Sequence, residues 1–184
     1  MAVFVVILRV LRIRQWLKNL MLFFPPFLGG TFFSDTLVIQ ALTPFIAFCM
    51  FSSSTYIIND VLDQENDRIH PEKCKRPIAS GQLSPATALI SAAVLLLAGV
   101  ATAVFISFTF LYYLLGYLAV SIAYSVLLKN FALVDIFCIS AGFLLRLQAG
   151  GAAFNIAISE WLFLSVFLLS VFLSTGKRLS EKHS

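Results

Sequence analysis

Apolar residues run through this chain in blocks as long as a bilayer is thick, separated by short polar links. Crossing the hydrocarbon layer takes about 20 apolar residues in a helix. Six blocks have that length, at roughly 17–34, 38–58, 84–105, 108–128, 131–153 and 159–176. The pattern predicts an all-α fold, a polytopic transmembrane helical bundle of about six spans, formed as one domain over residues 1–184. The first block is a broken span, because Pro25-Pro26 falls inside it and would kink a helix at a depth where only neighbouring groups satisfy the freed carbonyls. "SFT" at 107–109 reads as a tight hairpin between the third and fourth spans. Ser84-Pro85 has the form of a capped helix start. At the N-terminus, "MAVFVVILRVLRIRQWLKN" places a short apolar run before its arginines, the reverse of a secretory signal's order. It reads as an interfacial helix leading into the first span.

Composition agrees with the pattern. The chain is 60% hydrophobic and 12% charged, with mean hydropathy +0.94, too little polar surface to clothe a soluble domain. With six spans, twelve of the thirteen basic residues fall on one side of the membrane: Arg9, Arg12, Arg14 and Lys18, then Arg68, Lys73, Lys75 and Arg76, then Lys129, then Lys177, Arg178 and Lys182. The opposite links carry none, so the positive-inside rule places both termini and the charged loop in the cytoplasm. These roles account for the net charge of +4, and no nucleic-acid partner is expected. Cys49, Cys74 and Cys138 lack paired spacing and read as small core residues. His70 and His183 have no partner spacing that would make a metal site. Trp16 and Trp161 read as interfacial anchors.

Charge is concentrated in "NDVLDQENDRIHPEKCKRPIASG", Asn59 to Gly81, which holds five of the nine acidic residues. If the second span continues as a helix beyond Asp60, then Asn59, Asp60, Asp63 and Asp67 share an arc of roughly 100°, with Glu65 on the other side. Three carboxylates on one face repel one another and call for a cation between them. Oxygen ligands of this kind suit a hard ion, Mg2+ ahead of Ca2+ when phosphate supplies the remaining ligands. Arg68, Lys73, Lys75 and Arg76 follow at once, as donors for phosphate oxygens. A solvated loop whose charges serve only topology is the plainer reading, but acidic residues contribute little to topology. The thirteenth basic residue, Arg146, lies inside the fifth span on one face with Asp135, Gly142 and Ala149, roughly 16 Å along the axis from Asp135. A charge at that depth should face a polar cavity.

The stretch from Asn59 resembles the first aspartate-rich motif, N-D-x-x-D-x-x-x-D, of the UbiA superfamily of intramembrane prenyltransferases. "RIRQWLKNLMLFFPPFLGG", "YSVLLKN", "DIFCISAGFLLRLQAGG", "ISEWL" and "GKRLSE" are similar to the branch that contains decaprenyl-phosphate phosphoribosyltransferases. The resemblance implies a transferase of the inner, cytoplasmic membrane of a prokaryote, with a polyprenyl lipid and a phosphorylated or diphosphate co-substrate as partners. In that branch the acceptor is a polyprenyl phosphate, the donor is phosphoribosyl pyrophosphate, and pyrophosphate leaves from the anomeric carbon. Carried onto this sequence, Asn59, Asp60, Asp63 and Asp67 would hold Mg2+ against the pyrophosphate, the three aspartates being the catalytic set. Lys18, Arg68, Lys73, Lys75, Arg76, Tyr124, Ser125, Lys129 and Arg146 would bind substrate.

The family usually has about nine spans and a second acidic motif after the sixth, where "GKRLSEKHS" stops. The chain is therefore expected to be incomplete at its C-terminus, with complementing helices or an oligomer as further partners. Two other readings remain open. An aromatic prenyltransferase would use a polyprenyl diphosphate as donor and an acceptor such as 4-hydroxybenzoate. A catalytically silent membrane protein would bind a partner or lipid phosphate through the basic loop.

Overall fold

A computed structural model describes residues 2–30, 35–128 and 132–182. Among them every regular element is helical. Helix α1 (Ala2–Leu11) is followed by a stretched 3-10 segment (Ile13–Phe23) and the short α2 (Phe24–Leu28). Then come α3 (Asp35–Leu62), α4 (Gln64–Ile69), a 3-10 turn (Lys73–Lys75), α5 (Pro85–Ile106) and α6 (Phe108–Ala123). A π-helical turn (Tyr124–Leu128) ends α6, and α7 (Ala132–Phe154) and α8 (Glu160–Lys182) complete the bundle.

Among the described residues four stretches are long and apolar enough to cross a membrane: Ala41–Leu62, Pro85–Ile106, Phe108–Leu128 and Leu133–Phe154. The expected sixth span is the shorter apolar helix Glu160–Gly176. The expected first span is not one α-helix. The chain turns at Arg12, which takes a left-handed conformation (φ 51°), and continues as a 3-10 helix. Pro25 and Pro26 open α2 where the 3-10 helix ends, so the segment is interrupted at the prolines as expected, and the turn at Arg12 separates it from α1.

Small residues let the helices close on each other, as lipid-embedded bundles require. Gly99 of α5 lies against the Phe51 ring of α3, and Gly150 of α7 lies against the backbone of Leu22. One core cluster gathers Leu22, Phe48, Phe51, Phe110, Leu114 and Tyr117; a second joins Val10 and Ile57 to Ile78, Ala88 and Ala92 beneath the charged loop. Ser84 caps α5 by accepting a hydrogen bond from the Thr87 backbone N–H. Ser107, extended between α5 and α6, caps α6 through Phe110 N–H at 3.0 Å and makes the hairpin. Large apolar side chains such as Phe105, Phe108 and Phe172 face outward, as lipid contact demands.

"FSSSTY" at 51–56 puts five consecutive hydroxyls in mid-span, of which the four from Ser52 to Thr55 are buried. Ser52, Ser54 and Thr55 donate to carbonyls three residues back in α3. Ser53 donates to the Leu11 carbonyl at 2.8 Å and accepts from the Trp16 indole at 3.0 Å, so Trp16 docks the first segment on α3 as well as standing near a helix end.

Candidate functional site

A cavity of about 610 Å³ opens at the end of the bundle where Arg12, Lys18, Lys73, Arg76 and Arg178 come together. It runs inward past Tyr117 and Gly142 to Arg146. Five of the twelve basic residues that topology placed on one side therefore line one cavity.

The acidic face is divided. Helix α3 stops at Leu62, and Asp63 (φ −93°, ψ 3°) forms the junction to α4, although the Asp63 N–H to Asn59 and Asp67 N–H to Asp63 backbone bonds persist. The consequence is two pairs with different surroundings. Asn59 and Asp63 line the cavity, joined by a bond from Asn59 Nδ2 to Asp63 Oδ2 at 3.2 Å. Asp60 and Asp67 are buried behind its wall. Asp60 is ion-paired to Arg12, whose Nε lies 3.3 Å from Oδ2, and to Arg76 Nη1 at 3.0 Å. Asp67 accepts from the same Arg76 Nη1 at 2.6 Å. The cation that a crowded acidic face demands is thus, for these two, a guanidinium of the chain itself. Among the described residues no group of three acidic, histidine or cysteine side chains converges as a self-sufficient metal site.

Of the expected substrate-binding residues, Lys18, Lys73, Arg76, Tyr124, Ser125 and Arg146 line the cavity. Arg68 is exposed and is not part of its wall, and Lys75 is exposed in a pair with Glu72 at 3.3 Å. Lys129 lies outside the described residues. The π turn at Tyr124–Leu128 brings Ser125 inward, a local widening often found at functional positions. Its hydroxyl is within 2.8 Å of Asn59 Oδ1 and 2.9 Å of the Ser121 carbonyl, and so ties α6 to α3 at the cavity wall.

Arg146 is almost fully buried, with every hydrogen-bonding nitrogen engaged. Nε donates to Asn19 Oδ1 (2.8 Å), Nη1 to the Gly142 carbonyl (2.8 Å) and Nη2 to the Tyr117 hydroxyl (3.0 Å). The faces of Tyr117, Phe48 and Phe143 stand 4.7, 5.4 and 5.8 Å from the guanidinium carbon. No carboxylate is among these contacts, so the positive charge is available to the cavity, held by dipoles and π faces. Asn19 completes the cradle by donating to Cys49 Sγ and Ser52 Oγ.

Sequence reasoning treated Arg12 as a topology charge, passed over Asn19, Tyr56 and Tyr117, and gave Arg178 no site role. Arg12 also stacks over Tyr56 at 5.3 Å. Arg178 of α8 is ion-paired to Asp135 of α7, and both line the cavity. Cys138 is half-buried at the cavity and Cys74 half-buried in the loop, so only Cys49 is the core residue expected of all three. The available signal was polar side chains inside apolar blocks, at Asn19, Ser52–Thr55 and Tyr117.

The family model for the UbiA prenyltransferase family matches residues 23–178. The decaprenyl-phosphate phosphoribosyltransferase of Mycolicibacterium smegmatis is 35% identical over 179 residues, covering 95% of this chain and 56% of that protein. Protein y4nM of Sinorhizobium fredii is 39% identical over 171 residues, covering 93% of this chain and 33% of that protein. The chain thus spans between a third and a little over half of the length of these relatives. The solved structure of a UbiA homolog from Archaeoglobus fulgidus bound to GPP and Mg2+ superposes with a TM-score of 0.79 at 23% identity, covering 96% of this chain and 63% of that one, a likeness of fold.

Proposed function

This chain belongs to the UbiA prenyltransferase family, and from that premise we propose that its cavity serves Mg2+-dependent transfer between a polyprenyl phosphate and phosphoribosyl pyrophosphate at the cytoplasmic face of the membrane. A phosphate oxygen of the lipid attacks the anomeric carbon, the bond from that carbon to the diphosphate oxygen breaks, and pyrophosphate leaves. The products are polyprenyl-phosphoryl phosphoribose and pyrophosphate. One observation carries the reading: two oxygen-donor side chains, Asn59 and Asp63, stand in the same cavity wall as Lys18, Lys73, Arg76 and Arg12, at the mouth of a path leading to a buried guanidinium. The 35% identical phosphoribosyltransferase relative favours this pair of substrates.

Asn59 and Asp63 fit Mg2+ shared with a diphosphate, since this ion commonly takes one or two protein oxygens and fills its octahedron with phosphate and water. When bound, it supplies Lewis-acid stabilisation of the charge that grows on the departing pyrophosphate. Lys73 and Arg76 bring positive charge to the phosphates from the loop, and Lys18 and Arg12 bring it from the first segment. Asp60 and Asp67 act one step back, fixing Arg12 and Arg76 in the wall, instead of serving as ligands themselves. The acceptor phosphate is already an oxyanion and needs placement more than a general base.

The test is incorporation of labelled phosphoribosyl pyrophosphate into lipid by membranes containing the chain and a polyprenyl phosphate. Label should reach the lipid fraction with Mg2+ and disappear with a chelator and with Asp63→Ala. Product formed only from a polyprenyl diphosphate and an aromatic acid would replace this reading with aromatic prenyl transfer, and no product from either pair would overturn it.

A further inference from the structure

The 3-10 segment Ile13–Phe23 is eleven residues long, whereas a run of more than about three or four is uncommon. With three residues per turn, side chains three positions apart stand in line, so the segment presents three rows. Trp16, Asn19 and Leu22 form the row that packs inward: Trp16 donates to Ser53, Asn19 accepts from Arg146, and Leu22 meets Gly150. Arg14, Leu17 and Leu20 form an exposed row. Arg12, Gln15 and Lys18 form the third, and all three line the cavity. Arg12 precedes the segment but keeps its spacing, since the Gln15 N–H donates to the Arg12 carbonyl at 2.7 Å. An α-helix would fan these three side chains over about 120°. The 3-10 conformation sets them in one file.

Successive members of that file are about 6 Å apart along the axis. It runs inward from the mouth, because Arg12 is paired to Asp60 beside Arg76, whereas Asn19, next after Lys18, bonds the buried Arg146. The order is cation, amide, cation. Gln15 is half-buried in the cavity wall, and its carboxamide makes no hydrogen bond to another described residue. A carboxamide offers both donors and an acceptor, which suits a neutral hydroxyl, and it brings no charge to hold a phosphate. The ligand that complements the file carries anionic groups at its two ends and hydroxyls between them. That is the pattern of a sugar phosphorylated at two positions.

We propose that Gln15 is a specificity residue whose carboxamide, set between Arg12 and Lys18 by the 3-10 register, hydrogen-bonds the ring hydroxyls of the phosphorylated sugar substrate. The inference rests on the transferase reading and deepens it: Asp63 serves the diphosphate, whereas Gln15 reads the sugar. A site that bonds a substrate hydroxyl discriminates against the analogue lacking it. Gln15 is only half-buried, so water replaces part of the lost bond and the discrimination is modest.

The experiment is calorimetric titration of three probes into the purified chain in detergent, each with Mg2+: pyrophosphate, the stable carbocyclic analogue of phosphoribosyl pyrophosphate, and that analogue without its two ring hydroxyls. The wild type should bind the hydroxylated analogue about tenfold more tightly than the dideoxy one. Gln15→Met, which keeps the length and removes the amide, should cut that ratio to about threefold or less while pyrophosphate binds as before. Gln15→Ala should do the same, and it decides the matter if the first variant fails to fold. Equal binding of the two analogues by the wild type, or a ratio that survives the substitutions, overturns the role of Gln15. So does a loss of pyrophosphate affinity in the variants as large as the loss for the hydroxylated analogue. In each of these cases pyrophosphate binding by the wild type leaves the transferase reading standing. Failure of all three probes to bind the wild type overturns both.

Discussion

Arg76 holds two buried carboxylates with one nitrogen, and its removal should be felt first as lost stability. The side chain of Asp67 is 4% exposed and that of Asp60 is 7% exposed, at 2.6 and 3.0 Å from Arg76 Nη1. In Arg76→Ala, Asp60 keeps Arg12, but Asp67 is left charged and without this partner. Breaking a buried pair from one side costs about 3–5 kcal/mol. Arg76 is itself 27% exposed, so water reaches part of the gap and the lower end, about 3 kcal/mol, applies. For a chain of this size that corresponds to a fall in Tm of roughly 6–12 °C. Adding Asp67→Asn removes the stranded charge and should recover about half of the loss. Breaking the exposed Lys75–Glu72 pair with Lys75→Ala should cost less than about 0.5 kcal/mol and serves as the control. Thermal melts in one detergent measure all three. If Arg76→Ala melts with the control, or if Asp67→Asn gives no relief in its background, then Arg76 is not neutralising a buried charge and this part of the account is wrong.

Three further outcomes follow from the packing. Gly150→Ala would place a Cβ 2.9 Å from Leu22 Cα and closer still to its carbonyl oxygen, so it should destabilise by about 3 kcal/mol and reduce the folded yield, whereas Gly176→Ala, with open space around it, should be silent in the same melts. Arg146→Lys keeps the charge but cannot donate to Asn19, Gly142 and Tyr117 at once; a loss of about 2 kcal/mol is expected, and an unchanged Tm would show that the cradle is not a source of stability. A single cysteine introduced at Lys73 in a background without the native cysteines should react with an impermeant maleimide in inverted vesicles and not in whole cells; the reverse labelling would turn the orientation over.

Helices α3 and α5 to α7 were legible because lipid imposes one rule, long apolar runs, that a sequence displays openly. The hairpin at Ser107 and the cap at Ser84 were legible for a similar reason, since each rests on local chemistry. The first segment was legible in its interruption and not in its 3-10 conformation. Pro25-Pro26 marks the passage from the 3-10 helix to α2, and a further turn at Arg12, whose left-handed backbone is accompanied by its side-chain pairing with Asp60, 48 residues away, sets the segment off from α1. The motif at Asn59 does bring charge to the cavity wall, yet its geometry depended on where α3 stops. A continuous helix would present all four side chains together, and the junction at Asp63 instead gives Asn59 and Asp63 to the cavity and Asp60 and Asp67 to two arginines. Pairings such as Arg178 with Asp135 and Arg146 with Asn19 join distant parts of the chain, and no local spacing encodes them.

The most direct measurement is calorimetric titration of pyrophosphate into the purified chain with and without Mg2+, for the wild type, Asp63→Ala and Lys75→Ala. The account predicts binding that requires Mg2+, weakens at least about tenfold in Asp63→Ala without a change in Tm, and is untouched by Lys75→Ala. Binding that is indifferent to Mg2+ and to Asp63, or that depends on Lys75, would contradict it.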